Sequence, residues 1–113
     1  MENIIYINQE DGIKRVMNNG KLYARLLTKF KDGTNLGELE ELVNSQDWEK
    51  AQTAAHTLKG VAANLSLTEL YNQSLDIETQ LKAKTIDPSS IEKLKICFTA
   101  TLGEIEKVIA AYA

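Results

Sequence analysis

The feature that most constrains the fold is a long, mostly apolar seam near the C-terminus. Its members recur at alternating spacings of three and four residues: Ile91, Leu94, Phe98, Thr101, Ile105, Val108 and Tyr112. This periodicity predicts one amphipathic helix of about 25 residues. Asp87 and Pro88 precede it as a capping residue and a proline at the first helical position, where the missing N–H costs nothing. A seam of this length is typical of a helix that packs along most of a bundle.

Two helical patterns occupy the first part of the chain. A short helix is predicted to begin at Asn8 or Gln9 and to stop at the Asn-Asn-Gly sequence of residues 18–20. A second pattern begins near Lys21, and Gly33 interrupts it before the apolar spacing resumes. The second pattern therefore predicts either one bent helix or two short ones.

Two further helices are predicted in the middle of the chain. Asp47 is a suitable N-cap for the first, which ends near Leu65. Ser66 and Glu69 form an S-x-x-E capping-box pattern that predicts the start of the next helix, running to about Lys84. Because the connections are short, we expect an all-α fold, an up-down antiparallel four-helix bundle with a short additional N-terminal helix.

Composition narrows the class of protein. The chain has 113 residues, 43% of them apolar, and no Pro/Gly-rich linker, so we expect a single domain over residues 1–113. A net charge of −3 and scattered basic residues argue against nucleic acid as a partner. No segment is apolar enough to enter a membrane, and Cys97, the only cysteine, excludes an intrachain disulfide. These features favour an intracellular, cytoplasmic protein.

The only histidine, His56, lies on the helix that begins at Asp47. At about 100° per residue, the apolar residues of this helix share one face: Trp48, Ala51, Ala55, Leu58, Ala62 and Leu65. His56 falls roughly 150° from the centre of that face, so the imidazole is predicted to point to solvent. Its neighbours on the outer face are Gln52, Lys59, Gly60 and Ala63.

This outer face has properties that suit group transfer. A neutral imidazole is a competent nucleophile toward an activated phosphoryl group. Lys59 places a cation one turn away, where it could stabilise a dianion on the ring. Gly60 is unfavourable inside a helix, yet it and Ala63 leave room for another protein to reach His56. Taken singly, these residues could equally be an ordinary surface histidine, a solvated lysine and a close-packing glycine.

The segment AHTLKGVAANLS, residues 55–66, resembles the H-x-L-K-G signature of histidine-containing phosphotransfer (HPt) domains. These domains relay phosphoryl groups between receiver-domain aspartates in multistep two-component signalling. The resemblance implies that His56 is the phosphoacceptor, that Lys59 stabilises the phosphohistidine, and that Gly60 gives steric access. The close match covers residues 47–66, and it departs from the family at Ser66, where glycine is frequent.

The resemblance also implies residues opposite His56. An antiparallel neighbour returns to the level of His56 near residues 76–78, and family members often carry a Gln or Glu and a basic residue there; Glu78 and Lys82 fit. An alternative is that Glu78 and Lys82 form only an exposed ion pair on one helix. Ile13 and Met17 could belong to an apolar rim on which receivers dock, although we favour their capping the bundle with partial exposure.

Two functions from different classes follow from these patterns. The first, which the resemblance implies, is a phosphoryl carrier without kinase activity, phosphorylated on His56, whose partners are response-regulator receiver domains or a hybrid sensor histidine kinase. The carrier is expected to be a monomer with no cofactor of its own, its partner supplying Mg²⁺. The second is a helical adaptor that binds signalling partners without phosphotransfer. A metal site is not expected, because one histidine and one cysteine fall short of the ligands that zinc requires.

Overall fold

The computed structural model describes residues 4–112, so the predicted domain extends beyond the described range at both ends. All regular secondary structure in this range is helical. The helices are α1 Gln9–Arg15, α2 Gly20–Gly33, α3 Gly37–Asn44, α4 Trp48–Asn64, α5 Thr68–Lys82 and α6 Pro88–Ala111. The all-α prediction is confirmed. None of these helices is both long and apolar enough to cross a membrane.

Local capping signals explain where four of the helices begin. The side chains of Asn8 and Asn19 accept hydrogen bonds from backbone N–H groups in the first turns of α1 and α2. The Asp47 carboxylate does the same at α4, accepting from the N–H of Lys50 at 3.3 Å. Asp87 caps α6 and accepts from the N–H of Ser89 at 2.9 Å. The predicted caps at Asp47 and Asp87 are therefore confirmed.

The α4–α5 turn differs from its prediction. The backbone of Ser66 is left-handed (φ 57°), and α5 begins after Leu67 without a side-chain cap. The N–H of Leu67 donates to the carbonyl of Ala62 at 2.9 Å, and the N–H of Ser66 donates to that of Ala63 at 3.2 Å. This pair of bonds is a Schellman motif, which ends α4 and favours glycine at the left-handed position. The predicted capping box at Ser66 is wrong because the residue ends one helix and does not start the next.

Gly33 separates two helices. Helix α2 ends at Gly33, and Thr34 is extended, with φ −111° and ψ 129°. Helix α3 then begins at Gly37. Of the two arrangements predicted for this segment, the chain adopts two helices, and α3 packs against α4.

The bundle consists of α2, α4, α5 and α6. Helix α5 packs between α4 and α6, and α6 packs in turn on α2. This is the predicted up-down four-helix bundle. Its largest fully buried apolar side chains come from α2, α5, α6 and the α4–α5 turn: Tyr23, Leu27, Leu67, Leu70, Ile77, Leu81, Leu94 and Ile105. Helix α4 contributes small side chains, which bring its backbone close to its neighbours: Ala51, Ala55 and Ala62.

The C-terminal seam lies against this core as predicted. Its buried members are Leu94, Thr101, Ile105 and Val108, and its other members pack at the edge of the core. Cys97 lies beside them and is buried, and burial raises the pKa of its thiol.

Helix α1 is attached to the bundle through a set of contacts that we call the α1 junction: Asp11, Gly12, Tyr23, Leu65 and Ser66. The Ser66 hydroxyl donates to Asp11 Oδ2 at 2.6 Å. The buried Tyr23 hydroxyl donates to the carbonyl of Leu65 at 2.6 Å, and burial raises the pKa of Tyr23 to about 12. Gly12 lies against the Tyr23 ring so closely that an added Cβ would be 2.4 Å from Cζ. The junction ties α1 and α2 to the α4–α5 turn.

Candidate functional site

His56 lies in the middle of α4 on the face opposite the buried alanines. Its side chain is 68% exposed, as the helical periodicity predicted. Thr57 beside it is also exposed, and Gln52 one turn earlier is half-buried. The imidazole is therefore available to a large partner, and its surroundings on α4 are polar.

Glu78, on α5, holds one side of the imidazole. Its Oε2 atom lies 2.6 Å from His56 Nδ1, although the two residues are 22 positions apart. Its Oε1 atom lies 2.6 Å from Lys59 Nζ. The Glu78 side chain is only 3% exposed and the Lys59 side chain 20%. Both carboxylate oxygens of a buried residue are thus occupied by donors from the neighbouring helix.

The charge on Glu78 determines which nitrogen of His56 carries the proton. The hydrogen bond from Lys59 and, to a lesser degree, that from His56 hold the pKa of Glu78 below its ordinary value of 4.5, against the opposing effect of burial. An ionised carboxylate can only accept hydrogen bonds, so Nδ1 of His56 must be the donor. In the neutral ring, Nε2 is then unprotonated, and its lone pair is available for attack.

The helix leaves open space beside the ring. Gly60, one turn beyond His56, is exposed, and a Cβ added there would meet no atom within 4 Å. Ala63 is half-buried and adds only a methyl group. No packing contact explains why glycine occupies position 60, whereas Gly12 is explained by its contact with Tyr23.

Lys82 does not take part in the cluster around Glu78. It is exposed near the end of α5, and no ion pair joins it to Glu78 in the described part of the chain. The alternative interpretation of Glu78 and Lys82 as an exposed ion pair is wrong, because the Glu78 carboxylate is buried and faces α4.

The two residues predicted on α1 have different environments. Ile13 is half-buried and packs against the core, whereas Met17 is 92% exposed. Met17 follows the end of α1 and has a left-handed backbone (φ 59°), which turns it away from the bundle. The favoured interpretation, that both residues cap the bundle, is therefore correct for Ile13 and wrong for Met17.

A shallow groove lies between α2, the end of α1 and the last turns of α4, and neither His56 nor Gly60 lines it. It has a volume of about 610 Å³, and its apolar lining includes Val16, Leu26 and Val61. Arg15 and Lys29 line it as well. Within residues 4–112, no group of three or more His, Cys, Asp or Glu side chains is arranged to hold a metal ion.

Comparison with known protein families identifies the family of this chain. The model of the Hpt domain matches residues 26–108 of the chain, which include His56, Lys59, Gly60 and Glu78. The chain belongs to the Hpt family. No curated protein and no solved structure gave a significant match.

Hpt domains are four-helix bundles that carry out histidine phosphotransfer in phosphorelays, typically as phosphoryl carriers and not as kinases, and they interact with other phosphorelay components. The family match begins within α2, so α1 and the first turns of α2 lie outside it.

The sequence does not predict the ion pair between Lys59 and Glu78. The family resemblance relates Lys59 to the phosphoryl group and places Glu78 at the level of the ring. A further signal was available: Lys59 follows His56 by three residues, so an acidic side chain opposite His56 lies within reach of both.

Proposed function

We propose that this Hpt domain carries a phosphoryl group on Nε2 of His56, taking it from a phosphoaspartate of one receiver domain and passing it to the aspartate of another. The observation that carries the proposal is the combination of an exposed imidazole with a buried carboxylate at Nδ1. Nδ1 is occupied by Glu78, so the nitrogen that faces solvent is the one with the free lone pair.

The proposed step balances without a cofactor on this chain. The Nε2 lone pair forms a bond to phosphorus while the phosphorus–oxygen bond to the receiver aspartate breaks, and that electron pair leaves with the aspartate carboxylate. The product is a phosphorylated imidazolium that keeps its proton on Nδ1, where the Glu78 carboxylate balances the positive charge. The reverse sequence delivers the group to the second receiver. Mg²⁺, which neutralises the phosphoryl oxygens, is supplied by the receiver.

Receiver docking is supported by the surface beside His56. Gly60 and Ala63 leave the approach to the ring unobstructed. Met17 adds an exposed apolar side chain to the turn after α1. We assign Ile13 a supporting role under this surface and Met17 a direct contact. Gln52 borders the other side of the ring, and exposed Lys82 supplies positive charge near the end of α5.

The test is transfer from a radiolabelled, phosphorylated receiver. Wild-type protein is expected to gain an acid-labile, base-stable label, and His56→Gln to gain none. Glutamine is a suitable replacement because its amide can still donate to Glu78, and exposure of the site limits the effect on folding. Circular dichroism provides the folding control.

Two results would reject the carrier function. One is equal loss of label from the receiver to wild type and to His56→Gln. The other is binding of the receiver by wild type with no transfer, which would identify the chain as an adaptor.

A further inference from the structure

One side of α6 is exposed along most of the helix. We call it the α6 outer face and define it by these exposed residues: Glu92, Ile96, Thr99, Gly103, Lys107 and Ala110. Their spacing of three or four positions places them in one stripe, on the side of α6 opposite its buried seam. Helix α6 packs on α5 and α2, whereas His56 lies on α4. The α6 outer face is therefore separate from the candidate site.

Two residues of the α6 outer face are not explained by contacts within one copy of the chain. Ile96 is a large apolar side chain, yet it is 68% exposed. Gly103 lowers the stability of the helix relative to alanine, although a Cβ added there would meet no atom of the described chain within 4 Å. Ile4 is exposed as well and lines a shallow cavity together with Ile96. An exposed apolar side chain and an open position thus share one face.

The charges of α6 complement those of a reversed copy of the same helix. The six charged residues of α6 are Glu92, Lys93, Lys95, Glu104, Glu106 and Lys107. In chain order, the first three are negative, positive and positive, and the last three are negative, negative and positive. Taken from the C-terminal end, the last three become positive, negative and negative. Each charge of the first group then has an unlike charge at the same place in the second.

We propose that the α6 outer face binds the same face of a second copy of this chain, with the two α6 helices antiparallel about a two-fold axis midway between Thr99 and Ala100. Because Ile96 and Gly103 are equally far from that axis, the isoleucine of one copy lies opposite the glycine of the other. Glu92 lies opposite Lys107 in the same way. A parallel pair would place every charge level with a like charge, which disfavours it.

The other four charges meet on the two flanks of the helix pair, where the two-fold axis brings like flanks together. Lys95 and Glu106 lie on the flank toward α3 and α2, with which they form ion pairs. The helical wheel places Lys93 and Glu104 on the opposite flank, toward α5. Within each flank, the lysine of one copy and the glutamate of the other differ in level by about 3 Å. Lysine and glutamate side chains can span that difference, so both flanks are complementary.

The ion pairs within one copy leave this surface available. Lys107 Nζ lies 3.1 Å from Glu104 Oε1, for example, but both side chains are largely exposed. Exposed pairs of this kind contribute little to stability, so their members can turn toward a second copy at small cost. Since α5 lies between α4 and α6, the dimer leaves His56 of each copy exposed. The association itself does not rest on the proposed function of His56.

The first experiment is sedimentation velocity of the full chain at micromolar to millimolar concentrations, with three charge variants. The first variant is Lys93→Glu with Lys95→Glu, the second is Glu104→Lys with Glu106→Lys, and the third carries all four changes. Each double variant alone opposes like charges on both flanks, so its dimer dissociation constant should rise at least about tenfold over that of wild type. An equimolar mixture of the two double variants restores unlike charges, as does the third variant, and both should dimerise like wild type.

The matched control is Lys29→Glu with Lys50→Glu. These exposed lysines lie on α2 and α4, and their reversal gives the same net charge as the first variant. The control should dimerise like wild type, and circular dichroism checks the fold of every variant. Wild type that stays monomeric throughout would overturn the proposal in favour of the monomer expected from the sequence. Equal weakening by the control, unchanged dimerisation of either double variant, or a mixture that stays monomeric would also overturn it.

The second experiment separates dimerisation from the stability of one copy, with Gly103→Gln. At concentrations where the monomer predominates, this change should raise the thermal midpoint, because glutamine favours helix more than glycine and the space around it is open. It should also raise the dimer dissociation constant about tenfold, because the new side chain occupies the position of Ile96 of the second copy. A dissociation constant equal to that of wild type would overturn the proposed register. Neither experiment involves phosphotransfer, so a failure of the proposed function leaves both results unchanged.

Discussion

The candidate site and the α1 junction are made from similar parts but differ in which part is buried. At the junction, Asp11 accepts from Ser66 at 2.6 Å and from Arg15 at 2.9 Å. At the site, Glu78 also accepts from two side chains. The Asp11 carboxylate is about half exposed, however, and the hydroxyl that it binds is buried. At Glu78 the order is reversed, because the carboxylate is buried and the ring that it holds is exposed.

The reversal separates a structural contact from a functional one. An exposed carboxylate that binds a buried hydroxyl fastens one element to another and offers little to a partner. A buried carboxylate beneath an exposed imidazole holds a reactive group in one orientation. Two short hydrogen bonds to a carboxylate therefore do not by themselves mark a site, and the decisive feature is which member solvent can reach.

The largest expected difference in stability is between two variants that each remove the cation beside one of these carboxylates. Lys59→Met should destabilise the protein by about 3 kcal/mol, since it leaves Glu78 buried with a reduced set of partners. Arg15→Met should change stability far less, because water replaces the guanidinium beside half-exposed Asp11. Urea denaturation at pH 7 measures both. Equal losses would remove the distinction between the two carboxylates.

The next effect contrasts the glycines of the two regions. Gly12→Ala should destabilise by about 2 kcal/mol, because the new methyl overlaps the buried Tyr23 ring. Gly60→Ala should stabilise by about 0.5–1 kcal/mol, since it improves helix propensity and meets no neighbouring atom. The same methyl should slow phosphotransfer by narrowing the approach to His56. Thermal denaturation and transfer assays test the pair, and a stabilised Gly60→Ala with undiminished transfer would show that partners do not use this space.

The smallest effect is a difference in acid sensitivity. Hydrogen bonds lower the pKa of Glu78 below 4.5 and that of Asp11 below 3.8. As pH falls, these carboxylates therefore take up protons at a higher pH in the unfolded chain than in the folded protein. The stability from each group is therefore complete above its ordinary pKa and is lost as pH falls through the lowered one. In urea titrations from pH 7 to pH 3, Glu78→Gln should flatten the acid loss more than Asp11→Asn. The reverse order would contradict the importance of burial.

Local signals predicted most of the fold. The seam of α6 and the caps at Asp47 and Asp87 depend on neighbours within a few residues, so the sequence displays them directly. The exposure of His56 also followed from periodicity alone, because the apolar residues of α4 fix its inner face.

The failures came from contacts between distant residues. Ser66 matches a capping box locally, yet it ends α4 and binds Asp11, 55 positions away. Met17 follows Ile13 at helical spacing in the sequence. Because α1 ends at Arg15, that spacing does not predict where the Met17 side chain points. The pairing of Lys59 with Glu78 depends on how α4 and α5 are aligned, which no window on one helix contains.

Substitutions in the turns between the helices offer a way to increase the stability of the protein. Left-handed backbone occurs in the described chain at non-glycine residues that lie between helices, Gln46 and Lys84 among them, and at no glycine. Each such residue costs on the order of 1 kcal/mol that glycine would not incur. That is similar to the cost of keeping Gly60 in the middle of α4. Glycine at the α3–α4 or α5–α6 turn could thus offset the cost of an open site without altering the surface that partners meet.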